Sequence, residues 1–160
     1  MTTDIATVQS MFNVNADFFQ RAINDIPEEQ WLTKPGDGSN HLLWIAGHMV
    51  VCRALVPKLL GKEWSSPWES LFARGAKLVA PDRYPSPAEI RQAWTEVSEK
   101  LSTALADAPP ETLAKPTAAG SPSLDGTVAG TVGFLCLHET YHVGQVGYLH
   151  KALGHGQSIG

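Results

Sequence analysis

The stretch His138-Glu139-Thr140-Tyr141-His142 lies inside a run from Thr127 to Leu153 whose periodicity decides the fold. Val128, Thr131, Leu135, His138, His142, Gln145, Leu149 and Ala152 recur at alternating steps of three and four, and most of these positions are apolar. That is the pattern of a helix with one face turned toward a core. Two histidines four residues apart on such a helix lie about 40° apart around its axis, so their rings point the same way. The spacing suits two imidazoles of one metal site. The competing reading is a pair of core histidines bonded to backbone carbonyls or water. A buried imidazole needs a partner, and two together on one seam favour the metal.

The same five residues also spell HExxH, the zinc helix of many metalloproteases, with Glu139 as general base. That motif needs a third ligand downstream, and no Asp or Glu follows His142. The longer extension, Gly three and His six residues later, fails because Gln145 and Tyr148 stand there. The third ligand therefore has to come from upstream, which disfavours a protease.

Working outward, 160 residues with 43% hydrophobic and 18% charged composition read as one globular domain over 1–160 with a sizeable core. A net charge of −4 without a basic cluster points away from nucleic acid and anionic membranes. The start lacks the basic and apolar regions of a signal peptide, and no apolar run is expected to approach ~18 residues. Cys52 and Cys136 make no disulfide framework, so a reduced cytoplasm is the expected compartment.

Three further seams precede the last helix. Ile5, Val8, Phe12, Asn15, Phe19, Ala22 and Ile26 form the first, with Asn15 as a buried register-setting amide or a pocket-lining group. His41, Ile45, His48, Cys52, Leu55 and Leu59 form the second, capped by Ser39-Asn40 and closed by Gly61. His48 is the upstream candidate ligand. His41 falls in the first turn, where a surface or capping role is expected. Gly47 costs ~1 kcal/mol of helix stability relative to Ala, so close packing or room for a ligand is expected beside it.

The connection 61–85 is long, and Ser66-Pro67-Trp68-Glu69 predicts a short helix through Phe72-Ala73-Arg74. Trp64 and Trp68 are placed to roof a pocket or to cover an end of the core. Ser86-Pro87-Ala88-Glu89 opens the third long helix, with Ile90, Trp94, Val97, Leu101, Ala104 and Ala108 on its seam. Residues 111–125 read as linker and the tail beyond Gly154 as disordered. Four helices without strand signals predict an all-α four-helix bundle. Three neutral imidazoles from two of its helices can hold one divalent metal and leave a position for water or ligand, as catalytic sites do.

The chain resembles the DinB/YfiT-like superfamily of metalloenzymes, unrelated to the DNA polymerase sharing the DinB name. The likeness rests on His41-Leu-Leu-Trp-Ile-Ala-Gly-His48 and on His138-Glu-Thr-Tyr-His142-Val-Gly144-Gln145 followed by Lys151-Ala-Leu-Gly154. Leu71-Phe72-Ala-Arg-Gly75 and Tyr84-Pro85-Ser86 add to it. The resemblance implies a bundle of up-down-down-up topology with a short extra helix in its long second connection. It also implies His48, His138 and His142 as ligands of zinc or nickel, and a homodimer. Characterised relatives include transferases and isomerases that use a low-molecular-weight thiol.

The leading reading is a metal-dependent enzyme acting on a small molecule, a thiol S-transferase in which the metal holds a thiolate. Gln145 and Tyr141 are expected to orient water, ligand or a histidine's second nitrogen. Glu139, about 100° from His138, serves as base or in a solvated or inter-helix role. Asn15 and Trp44 are expected to line the pocket. Cys52 either approaches the metal or is a small buried hydrophobe. Alternatives are a metal-dependent hydrolase and a metal-binding or stress-related protein without turnover. Gly126, Gly130 and Gly133 allow close backbone approach, in a dimer or within one chain. Neutral imidazole ligands predict that metal affinity falls as pH drops through roughly 6 to 5. His150 and His155, near or beyond the last turn, are expected to be exposed.

Overall fold

Each long helix starts on a side-chain cap supplied by the sequence. In α1 (Ile5–Asn24), the Ala6 N–H donates to Asp4 Oδ1 at 3.1 Å. α2 (Leu42–Leu59) is capped by His41, whose Nδ1 accepts from the Trp44 N–H at 3.1 Å. α4 (Pro87–Ala106) carries the expected capping box between Ser86 and Glu89. α6 (Val128–Ala152) begins where the Thr127 hydroxyl accepts from the Gly130 N–H at 3.0 Å. Each cap satisfies a backbone donor that the helix itself leaves orphaned.

A computed structural model describes residues 3–157 of the chain. Two single-turn helices complete the α-helical set, α3 (Glu69–Phe72) and α5 (Pro110–Leu113). α3 is shorter than predicted. The Ser66 hydroxyl accepts from the Trp68 N–H, the helix starts two residues later than the Ser66 cap implied, and Ala73 turns extended. α5 lies in the segment read as linker, where Pro110 at its first position favours a helical start. α2 begins after His41 and not at Ser39-Asn40. The expected disordered tail falls partly outside the described residues; within them, His155 Nε2 contacts Gln30 Oε1 at 2.6 Å.

Helix directions follow from side-chain pairs. Val8 meets Cys136 and Asn15 meets Thr140, so α1 and α6 run parallel. His48 faces His142 while Arg53 reaches Glu139, so α2 runs antiparallel to α6. Phe19 packs on Trp94 and Arg91 reaches the Ile23 carbonyl, which sets α4 antiparallel to α1. Up-down-down-up results. Consecutive long helices α1 and α2 lie on a diagonal, and the connection 60–86 spans two parallel neighbours.

α2 corrects one expectation. It is an 18-residue helix apolar enough to cross a membrane by length and composition, yet 78% of it is buried inside the bundle. It packs against α3, α4 and α6, so nearly every face has to be apolar. Phe19, Ile23, Trp31, Leu42, Met49, Phe72, Ile90 and Trp94 form the main core around it.

His41 is buried and not at the surface, with its ring edge-on to Tyr84. Burial, reinforced by Lys34, lowers its pKa from 6.5 to about 4. The unfolded chain therefore takes up a proton at this residue first as pH falls. The stabilisation is fully present above 6.5 and is lost as pH drops toward about 4. Thermal denaturation should record a falling midpoint over that window. His41→Asn, which caps without titrating, should flatten the fall; an unchanged profile would refute this role.

Candidate metal centre

α2 and α6 bring His48, His138 and His142 together. One ring nitrogen from each lies within 4.8 Å of the others. His138 Nε2 and His142 Nε2 are 3.2 Å apart. Two imidazoles on one tetrahedral ion with bonds of about 2.0–2.1 Å would be separated by about 3.3 Å, so the spacing fits. His48 and His142 are 5% and 8% exposed, and His138 is half-buried.

Two of the three rings have their tautomer fixed. His48 Nδ1 donates to the Phe72 carbonyl at 2.7 Å, so its lone pair is on Nε2. His142 Nδ1 donates to Gln145 Oε1 at 2.7 Å, and the Gln145 amide donates to the Tyr141 hydroxyl at 3.1 Å. Such partners orient a ligand and raise its basicity. His138 differs, because its Nδ1 is buried without a partner.

Burial lowers the pKa of all three imidazoles, opposed at His48 by the Phe72 carbonyl and at His142 by Gln145. His142 falls to about 4. At His138 the charges of His48 and Arg74 add to the same effect. Neutral rings with lone pairs converging on one point are the donor set a divalent cation takes.

The other expected site residues divide. Trp44 stacks on His48, with ring centroids 5.0 Å apart and planes 10° apart. Tyr141 and Gln145 adjoin His142 as described. Asn15 does not join them. Its amide donates to Thr140 Oγ1 at 3.0 Å, and Thr140 lies about 160–200° around α6 from the two histidines. There Asn15 lines a groove of about 470 Å³ between α1 and α6, with Met11, Val14, Phe18 and Val143.

Glu139 also turns from the cluster into the core, 2.7 Å from Arg53 Nη1, taking the inter-helix role in place of that of a base. Burial pushes its carboxyl up, opposed by Arg53. Cys52 Sγ is 3.4 Å from His48 Nε2 and 3.9 Å from its Nδ1. The shorter contact is within hydrogen-bond reach of the His48 lone pair. Burial raises this thiol to about 12, and it behaves as a small core group. Trp64 and Trp68 pack on the main core.

Two contributors were absent from the sequence reading. The Phe72 carbonyl carries no side-chain signal. Arg53 did carry one, as a cation inside an apolar helix facing a helix with a single acidic residue. His150 is a correction: it is 2% exposed, with Nδ1 3.3 Å from the Gly156 carbonyl. His155 and Gly156 turn back onto the last turn of the helix, so nearness to the end did not mean exposure.

Gly47 is explained by Phe72, since a Cβ on Gly47 would overlap the Phe72 ring. Gly47→Ala should gain ~1 kcal/mol of helix propensity but lose about 1–3 kcal/mol through the clash. It should also loosen the carbonyl that holds His48. Thermal denaturation and metal retention should both fall; a stabilised variant with full retention would contradict this packing.

Compared with known proteins, the chain matches the DinB superfamily over residues 12–146. No curated protein matches it. The matched region includes all three clustered histidines, and the chain belongs to the DinB superfamily.

Proposed function

We propose that this protein is a metal-dependent enzyme whose three-histidine centre holds zinc or nickel and acts on a small molecule, with a low-molecular-weight thiol as co-substrate. The carrying observation is the donor set: three imidazoles whose ring nitrogens lie within 4.8 Å of one another, a group that Cys52 touches at His48 without joining. A divalent ion bound there would act as a Lewis acid and keep a coordinated thiol deprotonated at neutral pH. The chain's own residues do the rest. Phe72 and Gln145 hold two rings in the binding tautomer, Trp44 backs His48, and Tyr141 places a hydroxyl at the exposed side.

Incubating metal-loaded protein with a panel of thiols and electrophiles, beside ester and amide substrates, tests the reaction class. Thiol-dependent consumption of an electrophile is expected. Hydrolysis without thiol would replace transfer by hydrolysis, and no turnover with either set would leave a metal-binding protein.

The expected assembly is a homodimer. Gly130 and Gly133 lend it no support, because a Cβ on Gly130 would overlap Asp125 and Ser123, and one on Gly133 would lie 2.8 Å from Leu124. Gly126 serves a turn at φ 82°. The dimer rests instead on family resemblance and on exposed Met11, Val14, Leu137 and Tyr141 along α1 and α6. Light scattering at tens of micromolar should return twice the chain mass; a monomer mass would exclude the dimer there.

A further inference from the structure

Arg53 stands where the four long helices meet. From α2 its Nη1 donates to Glu139 Oε1 on α6 at 2.7 Å, and its Nη2 donates to the Phe12 carbonyl of α1 at 3.4 Å. Its guanidinium lies 4.4 Å from the Trp94 ring centroid on α4 and 5.4 Å from that of Phe12. Asn15 stands beside Glu139 from α1, its side chain bonded to Thr140. The side chains of Arg53 and Glu139 are 2% and 4% exposed.

Stability alone accounts poorly for this pair. Arg53 Nε and Glu139 Oε2 are buried without partners. A buried ion pair recovers its desolvation cost only with good geometry and further hydrogen bonds, and apolar replacements of both partners are often neutral or stabilising. The best-attested use of such a pair is to fix register. Here its two members sit on the helices that carry the histidines. Arg53 is five residues after His48, and Glu139 falls between His138 and His142. A slide of α2 along α6 would break the 2.7 Å contact and separate His48 from the other two rings together.

We infer that Arg53 and Glu139 are the positioning pair of the three-histidine centre, setting the register of α2 on α6 that makes the rings converge. The pair is buried away from the cluster's open side and touches no substrate. The inference rests on the metal reading above, and its test separates the two.

The double variant Arg53→Met/Glu139→Leu removes both charges while filling the space. It should fold with a metal-free thermal midpoint equal to or above that of the unmodified protein. Its cobalt affinity should fall at least tenfold, with an altered cobalt absorption spectrum. In the metal-free protein, nuclear Overhauser contacts between the His48 and His142 rings should be present, and in the double variant they should be lost. A folded double variant with unchanged cobalt affinity, spectrum and ring contacts overturns the inference. If the unmodified protein binds no cobalt, the metal reading fails, and the ring contacts alone still decide the pair. If the double variant does not fold, Arg53→Lys carries the test, because a single ammonium cannot span the two oxygens and the aromatic face at once. Its ring contacts should weaken, and unchanged contacts would overturn the inference.

Discussion

Replacing His142 by alanine should strip most of the metal from the protein, while His155→Ala should leave the content unchanged. Losing an outer partner of a ligand typically costs ~10–100-fold in affinity, so losing the ligand itself should cost more. Gln145→Ala, which removes the acceptor from His142 Nδ1, should fall within that smaller range. His150→Ala serves as a different comparison, because the ring is buried and its loss should lower stability. Metal per chain after identical dialysis at neutral pH ranks the four. Full retention in His142→Ala would remove this residue from the ligand set. Protons should compete for the same lone pairs, so metal is held above the titration range and lost as pH falls. With His142 lowered to about 4, the loss should come toward that pH, below the 6 to 5 expected of unperturbed imidazoles.

Arg53→Met alone should destabilise the protein by about 3–5 kcal/mol, because it leaves the Glu139 carboxylate buried without its partner. For a chain of this size that corresponds to roughly 6–20 °C in the thermal midpoint at neutral pH. Burial already pushes the Glu139 carboxyl up, so the orphaned group should take a proton as pH falls and recover part of the loss. Denaturant titration at two pH values measures both effects. A loss below about 1 kcal/mol would mean that the carboxylate finds another partner or water, and that the pair is not held as described.

The periodic elements were legible in the sequence because seam and cap information is local. The steps of three and four in α1, α4 and α6, and the Ser86–Glu89 box, needed only neighbouring residues. The three histidines were legible for the same reason, since each stood on a helical seam. What escaped depended on contacts distant in sequence. Phe72 meets His48 across 24 residues through a carbonyl that every residue possesses. Arg53 meets Glu139 across 86 residues, and neither lies on the seam that the spacing marked. Asn15 was correctly seen as inward-facing, but which neighbour a helix face meets depends on bundle topology, and it met the far side of α6. His150 stands near the chain end yet is buried, because the residues after it cover the ring, a contact that chain position does not reveal.

The central claim is that the three imidazoles hold one divalent ion, and the most direct measurement is the metal content of unmodified protein. It should be purified without an affinity tag or added metal and analysed for all first-row transition metals. The account predicts close to one zinc or nickel ion per chain, resistant to dialysis at neutral pH. A metal-free protein that also fails to take up zinc, nickel or cobalt on titration would contradict it.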